Sequence, residues 1–150
     1  MINWQYYPKS GLIPVELKEV VEVFEACEHD ITSTSLKLNS DAVLEKLKPS
    51  LLALGFDVEK GKRATDKVRV PVLFGRNGRT ELAFEADAVK LNSNIVLEVE
   101  AGRAVSNYQF LKDLFEACMM QDILFAAIAV RNEYRYGKTL SRDFEHVTRF

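Results

Sequence analysis

The chain has 150 residues, of which 47% are hydrophobic and 28% are charged, the usual composition of a globular domain with a sizeable core. It contains no apolar run as long as a membrane span, and its first residues lack the apolar centre of a signal peptide. The two cysteines, Cys27 and Cys118, form neither a disulfide framework nor a zinc-ligand spacing. These features exclude membrane-spanning and disulfide-stapled proteins, and they predict a cytoplasmic protein with one domain over residues 1–150.

Charged residues are segregated along the chain, although the net charge is only −2. Residues 59–79 carry seven basic and two acidic side chains, whereas residues 80–122 carry eight acids and three bases. A basic segment beside an acidic one is typical of a metal site that binds phosphate groups. A solvated sheet face with alternating charges gives the same pattern, so both interpretations stay open.

The N-terminal part of the chain predicts two helices. Apolar residues recur at helical spacing over 15–31, and Pro14 suits the start of that helix. A second helix is predicted over 40–54, where Pro49 predicts a kink or a split into two short helices.

The periodicity then changes to that of β-strands. Basic and apolar side chains alternate over 67–74, and a glycine-containing turn connects this strand to one over 80–90. Further strands are predicted over 56–62 and 94–101. The segment 67–90 is therefore expected to form a β-hairpin.

A βαβ unit is predicted in the C-terminal half. The apolar stripe of a helix over 106–120, which should face the core, consists of Leu111, Leu114, Phe115 and Cys118. The uninterrupted apolar run over 123–130 predicts a strand that is covered on both faces and parallel to strand 94–101. A short helix is expected within 141–150. The order α-α-β-β-β-β-α-β predicts an α/β fold with a mixed sheet of four to five strands flanked by helices.

Acidic residues share one face of two neighbouring predicted strands. Alternation places Glu85 and Asp87 on one face of strand 80–90, and Glu98 and Glu100 on one face of the next strand. The short connection predicts antiparallel strands, with Asp87 close to Glu98. Like charges this close require a counter-ion, and Mg²⁺ prefers oxygen ligands. The alternative is a solvent-facing surface whose acids pair with basic residues of the hairpin.

The block Asp87…Glu98-Val99-Glu100, followed by a helix and an apolar strand, resembles the PD-(D/E)xK nuclease superfamily over about residues 15–130. This resemblance implies a restriction-endonuclease-like fold and hydrolysis of phosphodiester bonds with Mg²⁺, for which Mn²⁺ can substitute. The chain departs from the pattern twice, because no proline precedes the first acid and Glu100 stands at the lysine position. An ExE ending is similar to that of a few type II restriction endonucleases.

The resemblance also implies roles for the three acids. Asp87 and Glu98 would be direct metal ligands. Glu100 would orient or deprotonate the attacking water, or bind a second metal ion.

Other residues are candidates for the rest of the site. Arg103 and Lys112 would supply the cation that the missing lysine leaves out, although both also suit the role of ordinary solvated charges. By resemblance to some members of the superfamily, Glu22 or Glu25 of the first helix would add a metal ligand.

The function expected from this resemblance is that of a Mg²⁺-dependent endonuclease of restriction type that acts on double-stranded DNA. Since two strands must be cut, a homodimer is expected, with no membrane and no small-molecule cofactor involved. The alternative is a catalytically inactive nuclease-fold module that binds nucleic acid or a partner protein. A third hypothesis is another metal-dependent phosphoesterase built on the same acids.

Overall fold

The computed structural model describes all residues from 1 to 150. Its five helices are α1 (Val15–Ala26), α2 (Glu28–Ile31), α3 (Ser40–Ala53), α4 (Gln109–Met119) and α5 (Asp143–Val147). The first predicted helix is thus interrupted at Cys27, where the short α2 begins. The predicted split of the second helix is wrong, because α3 continues through Pro49. Leu47 and Leu51, both fully buried, pack on either side of this proline, and their burial holds the helix together.

Eight strands form three sheets. The strands are β1 (Asp57–Val58), β2 (Val68–Phe74), β3 (Thr80–Ala86), β4 (Ala88–Lys90), β5 (Ile95–Glu100), β6 (Phe125–Val130), β7 (Tyr134–Tyr136) and β8 (Thr139–Ser141). The central sheet has the order β1-β4-β5-β6, with β5 and β6 parallel and the other pairs antiparallel. The pairs β2-β3 and β7-β8 form separate hairpins. The α/β class and the mixed four-stranded sheet are confirmed, whereas the β7-β8 hairpin was not expected.

The two faces of the central sheet pack against different apolar clusters. On one face, Leu97 and Val99 of β5 pack with the buried residues of α1 and α3. On the other face, Val96 packs with Ala117 of α4 and with residues of the β2-β3 hairpin. Because side chains alternate along a strand, Glu98 and Glu100 point to the same side as Val96, which is the side of α4.

The predicted apolar stripe of α4 does not face the core. Leu114 and Phe115 remain 44% and 62% exposed, and Cys118 is also exposed. The helix instead turns Phe110, Asp113 and Ala117 towards the sheet. The prediction was wrong because the residues that pack on β5 lie about a third of a turn around the helix from the longest apolar stripe.

Strand β6 is parallel to β5, as expected, but it is not covered on both faces. It is the last strand of the central sheet, and its residues are only partly buried or exposed. A largely apolar cavity of about 820 Å³ lies against it, between the first residues of the chain, α1 and α4. The apolar run therefore marks an incompletely covered edge strand.

The Leu47→Ala substitution is expected to lower the free energy of unfolding by about 2–5 kcal/mol, because it leaves a cavity at a fully buried position. The matched control is Leu52→Ala on the same helix, where the side chain is 50% exposed. Urea unfolding followed by circular dichroism measures both. Equal losses in the two variants would contradict the assigned core.

Candidate metal centre

A bend in the chain places Asp87 between two neighbouring segments. The predicted strand 80–90 is interrupted there, because β3 pairs with β2 and β4 pairs with β5. Val68 is opposite Ala86 and Ala88 is opposite Leu97, so the registers bring Asp87 beside Lys67 on one side and Glu98 on the other. Asp87 and Glu98 are therefore neighbours, in the arrangement that the alternation predicts.

Hydrogen bonds to the backbone hold the two acids in this arrangement. Oδ2 of Asp87 accepts a hydrogen bond of 2.7 Å from the backbone N–H of Val99. The backbone N–H of Asp87 in turn stabilises the charged form of the Glu98 carboxyl. The bend thus places the Asp87 side chain against β5, where the hydrogen bond from Val99 keeps it out of solvent.

Helix α4 brings a further buried acid to the same side of the sheet. Asp113 is only 5% exposed, and its Oδ1 accepts a hydrogen bond of 3.2 Å from Nε2 of Gln109. Its Oδ2 has no hydrogen-bond partner. Asp113 was not among the predicted site residues, because the apolar stripe of the helix was expected to face the core. The signal was present, since Gln109, Asp113 and Glu116 form a polar stripe with helical spacing.

Burial and repulsion between neighbouring charges raise the pKa values of Asp87 and Glu98. The pKa of Glu98 rises to about 9, first because of burial and then because of the charges of Asp87 and Asp113. Burial also raises the pKa of Asp87 to about 6, although the Val99 N–H and the Lys67 charge oppose the increase. Both carboxyls are therefore costly to ionise in the metal-free protein.

The pKa values of Glu100 and Asp113 are raised as well. The pKa of Glu100 rises to about 7, mainly through burial and then through Asp113 and Asp87. Burial likewise raises the pKa of Asp113, although the hydrogen bond from Gln109 counteracts it. Four carboxyls with raised pKa values in one place form a strongly electronegative centre once their protons are removed.

Two lysines lie at the edge of this centre, but each is paired with another acid. Nζ of Lys112 lies 2.9 Å from Glu116, and Nζ of Lys67 lies 2.7 Å from Glu59. Lys112 nevertheless lowers the pKa of Glu100 by its charge. The candidate Lys112 is thus close to the site, and Lys67 is a second cation there that was not among the predicted site residues.

The structure does not bring the other candidates to the four carboxyls. Arg103 is exposed and lines a polar groove with Ser106 and Tyr134. Glu22 and Glu25 are exposed on α1, which packs on the opposite face of the sheet from Glu98. The alternation of β5 explains this separation, because the residues that α1 covers point away from the acids.

The donor set suits a hard divalent cation. As the side chains stand, no three His, Cys, Asp or Glu residues are grouped so that they could hold a metal ion, so binding one would require these side chains to move together. The carboxylate oxygens of Asp87, Glu98 and Glu100, together with the unpartnered Oδ2 of Asp113, are nevertheless the ligand type that Mg²⁺ and Mn²⁺ prefer. These residues would hold such a cation, and the cation would offset their repulsion.

Comparisons with known proteins give no relatives. No family model matches the chain, and no curated protein or solved structure shows significant similarity to it. None of the helices combines the length and the apolar character needed to cross a bilayer. What the protein does must therefore be inferred from the side chains themselves.

In the metal-free protein, stability is expected to fall as the pH rises from 5 to 9. With a pKa of about 9, folded Glu98 keeps its proton where the unfolded side chain, with a pKa of 4.5, has lost it. The folded state therefore binds more protons than the unfolded state in this window, and raising the pH favours unfolding. Thermal unfolding in a chelator at several pH values measures the effect.

The Glu98→Gln variant is the control for this dependence. The amide occupies the same volume and does not ionise, so the fall in melting temperature should become smaller, and the remainder comes from Asp87, Glu100 and Asp113. A wild-type melting temperature that stays constant or rises between pH 5 and 9 would contradict the assignment.

Proposed function

We propose that the protein is a Mg²⁺-dependent endonuclease with a restriction-endonuclease-like fold that hydrolyses phosphodiester bonds in DNA. The observation that carries the proposal is the position of Asp87 at a bend, hydrogen-bonded to β5 next to Glu98 and on the side of Glu100. Such a set of carboxylates on adjacent strands suits a divalent cation beside a phosphate group. Cytoplasmic location is part of the proposal, and both cysteines are free thiols.

The acids have different proposed roles, which follow from their positions and pKa values. Asp87 and Glu98 would hold the cation, and a bound cation would supply charge stabilisation for the phosphoryl group and activation of a water. Glu100, whose pKa is about 7 without metal, would bind the cation through one oxygen and be ionised by its charge, and its other oxygen would take a proton from the attacking water. Lys112, on α4, lies close enough to Glu100 to provide positive charge for the phosphate.

Basic side chains of the β2-β3 hairpin support a nucleic-acid substrate. Arg69, Arg76 and Arg79 are all exposed, and none of them forms a salt bridge. Strand β3 runs from the hairpin turn directly to Asp87, so the hairpin extends outward from the acidic centre. Free arginines beside a cation site are suited to contact phosphate groups on either side of the bond to be cut.

The homodimer is also part of this proposal. Leu114, Phe115 and Met119 leave an exposed apolar face on α4, the helix that carries Asp113. Single exposed apolar side chains are common, but a stripe of this kind is typical of interaction surfaces. A twofold pair of chains would place two acidic centres on one DNA duplex.

One observation favours the alternative of an inactive module that binds nucleic acid or a partner protein. Glu100 replaces the usual lysine, and the two lysines nearest the site are each engaged by an acid. An inactive module would bind DNA through its arginines and would not cleave it when Mg²⁺ or Mn²⁺ is added. Cleavage therefore separates the two functions.

The Asp87→Asn and Glu98→Gln variants are expected to reduce Mg²⁺-dependent DNA cleavage by about a hundredfold or more, since losing even outer-shell partners of a metal typically costs about 10–100-fold. Genomic DNA and random-sequence duplexes serve as substrates, because a sequence-specific enzyme cuts only its own site. Glu45→Gln, an exposed acid on α3, should retain wild-type activity.

The result that would contradict the nuclease assignment is the absence of cleavage of these substrates by folded wild-type protein in both Mg²⁺ and Mn²⁺. Cleavage that survives in both Asp87→Asn and Glu98→Gln would contradict the assigned site.

The double variant Arg76→Gln/Arg79→Gln should bind duplex DNA more weakly in Ca²⁺, which permits binding measurements without turnover. The slope of log affinity against log salt should become shallower by about 2, because each phosphate contact contributes about 0.9. Lys48→Gln, in which a lysine paired with Glu45 is removed, is the control. Unchanged affinity and slope in the double variant would show that the hairpin does not contact DNA.

A further inference from the structure

Asp113 is a buried acid that the proposed roles of the other residues leave unexplained. It is 5% exposed and lies between Phe110 and Ala117 on the sheet-facing side of α4. One of its oxygens has no hydrogen-bond partner. Burying a carboxyl without satisfying both oxygens is costly, and an apolar residue here would pack better against the sheet. A bound ligand that uses this oxygen would remove the cost.

The packing of α4 places Asp113 above the acidic face of β5. Ala117 packs in the same apolar cluster as Val96 of β5. The helix runs antiparallel to β5, because it returns the chain to the parallel strand β6. Four residues back from Ala117 along the helix is about 6 Å, and two residues along a strand are about 6.6 Å. Asp113 therefore lies over Glu98, as Ala117 lies over Val96.

Electrostatic interactions agree with this placement. The charge of Asp113 raises the pKa of Glu98, Glu100 and Asp87 alike. No salt bridge neutralises Asp113, since Lys112 on the same helix pairs with Glu116. The charge of Asp113 is thus opposed only by Lys112, which is shared with Glu116.

Gln109 orients the carboxyl of Asp113. Its Nε2 donates to Oδ1 from one turn earlier on the helix and leaves Oδ2 available. A ligand oxygen whose partner oxygen is held by a neighbouring amide is typical of metal sites, where outer hydrogen bonds position the ligands.

We propose that Asp113 is a fourth carboxylate ligand, supplied by α4 through Oδ2, for the divalent cation of the Asp87, Glu98 and Glu100 site. The inference rests on the proposed cation site and extends it to a residue outside the Asp87…Glu98-Val99-Glu100 block. Gln109 is a positioning residue in this arrangement.

The test is a calorimetric Mn²⁺ titration of the DNA-free protein. Asp113→Asn keeps the shape of the side chain and an oxygen for Gln109, but removes the anionic ligand. Its affinity for Mn²⁺ should fall at least about tenfold below that of the wild type. Glu116→Gln removes one negative charge from the same helix, where the acid is already paired with Lys112, and should change the affinity by less than about threefold.

A fold control accompanies the titration. Without metal, Asp113→Asn should melt at the same temperature as the wild type or higher, because the substitution relieves repulsion among the acids. Wild-type circular dichroism and an unreduced melting temperature would show that any loss of Mn²⁺ binding comes from the site.

The possible failures are distinguishable. If the wild type binds Mn²⁺ and Asp113→Asn binds it equally well, the inference about Asp113 is overturned and the proposed function stands. Equal losses of Mn²⁺ affinity in Asp113→Asn and Glu116→Gln would also overturn the inference, because they would show that only the total negative charge of α4 matters. A wild type that binds no Mn²⁺ would overturn the proposed cation site and the inference with it.

Discussion

The burial of like charges on one face of β5 is the constraint on which the rest of the structure depends. Glu98 and Glu100 point towards α4, Asp87 reaches them from a bend, and Asp113 approaches from the helix. Each carboxyl is costly to ionise in this place, and each makes its neighbours more costly. A divalent cation would reverse that balance, because the same four charges would then be ligands. In the metal-free protein the four carboxyls therefore favour their protonated forms.

The orientation of α4 connects this site to the outer surface of the protein. The helix turns Asp113 and Ala117 to the sheet, so its apolar side chains, such as Phe115, face outward. A helix that packed its apolar stripe on the sheet would remove Asp113 from the centre. The helix that carries the buried acid therefore also carries the surface that we propose for the homodimer.

The parts of the fold that depend on strand alternation were predicted correctly from the sequence. The prediction was wrong where an element has two faces that could each pack on the core, as in α4. Alternation put Glu98 and Glu100 on one side of β5, and together with the short antiparallel connection it placed Asp87 beside Glu98. The helical spacing of α4 contains an apolar and a polar stripe, and periodicity does not show which one meets a charged sheet face. Asp113 was missed for this reason. The burial of β6 depends on neighbours that no local pattern specifies, and so does the position of Glu25 on the far face.

The most direct measurement is the anomalous electron density of a crystal soaked in Mn²⁺ at a pH where the carboxyls are ionised. We expect one strong peak bound by oxygens of Asp87 and Glu98, with Glu100 and Asp113 around it. At saturating Mn²⁺, an acidic centre without a peak, or with the carboxyls turned away from one another, would contradict a metal site in this protein.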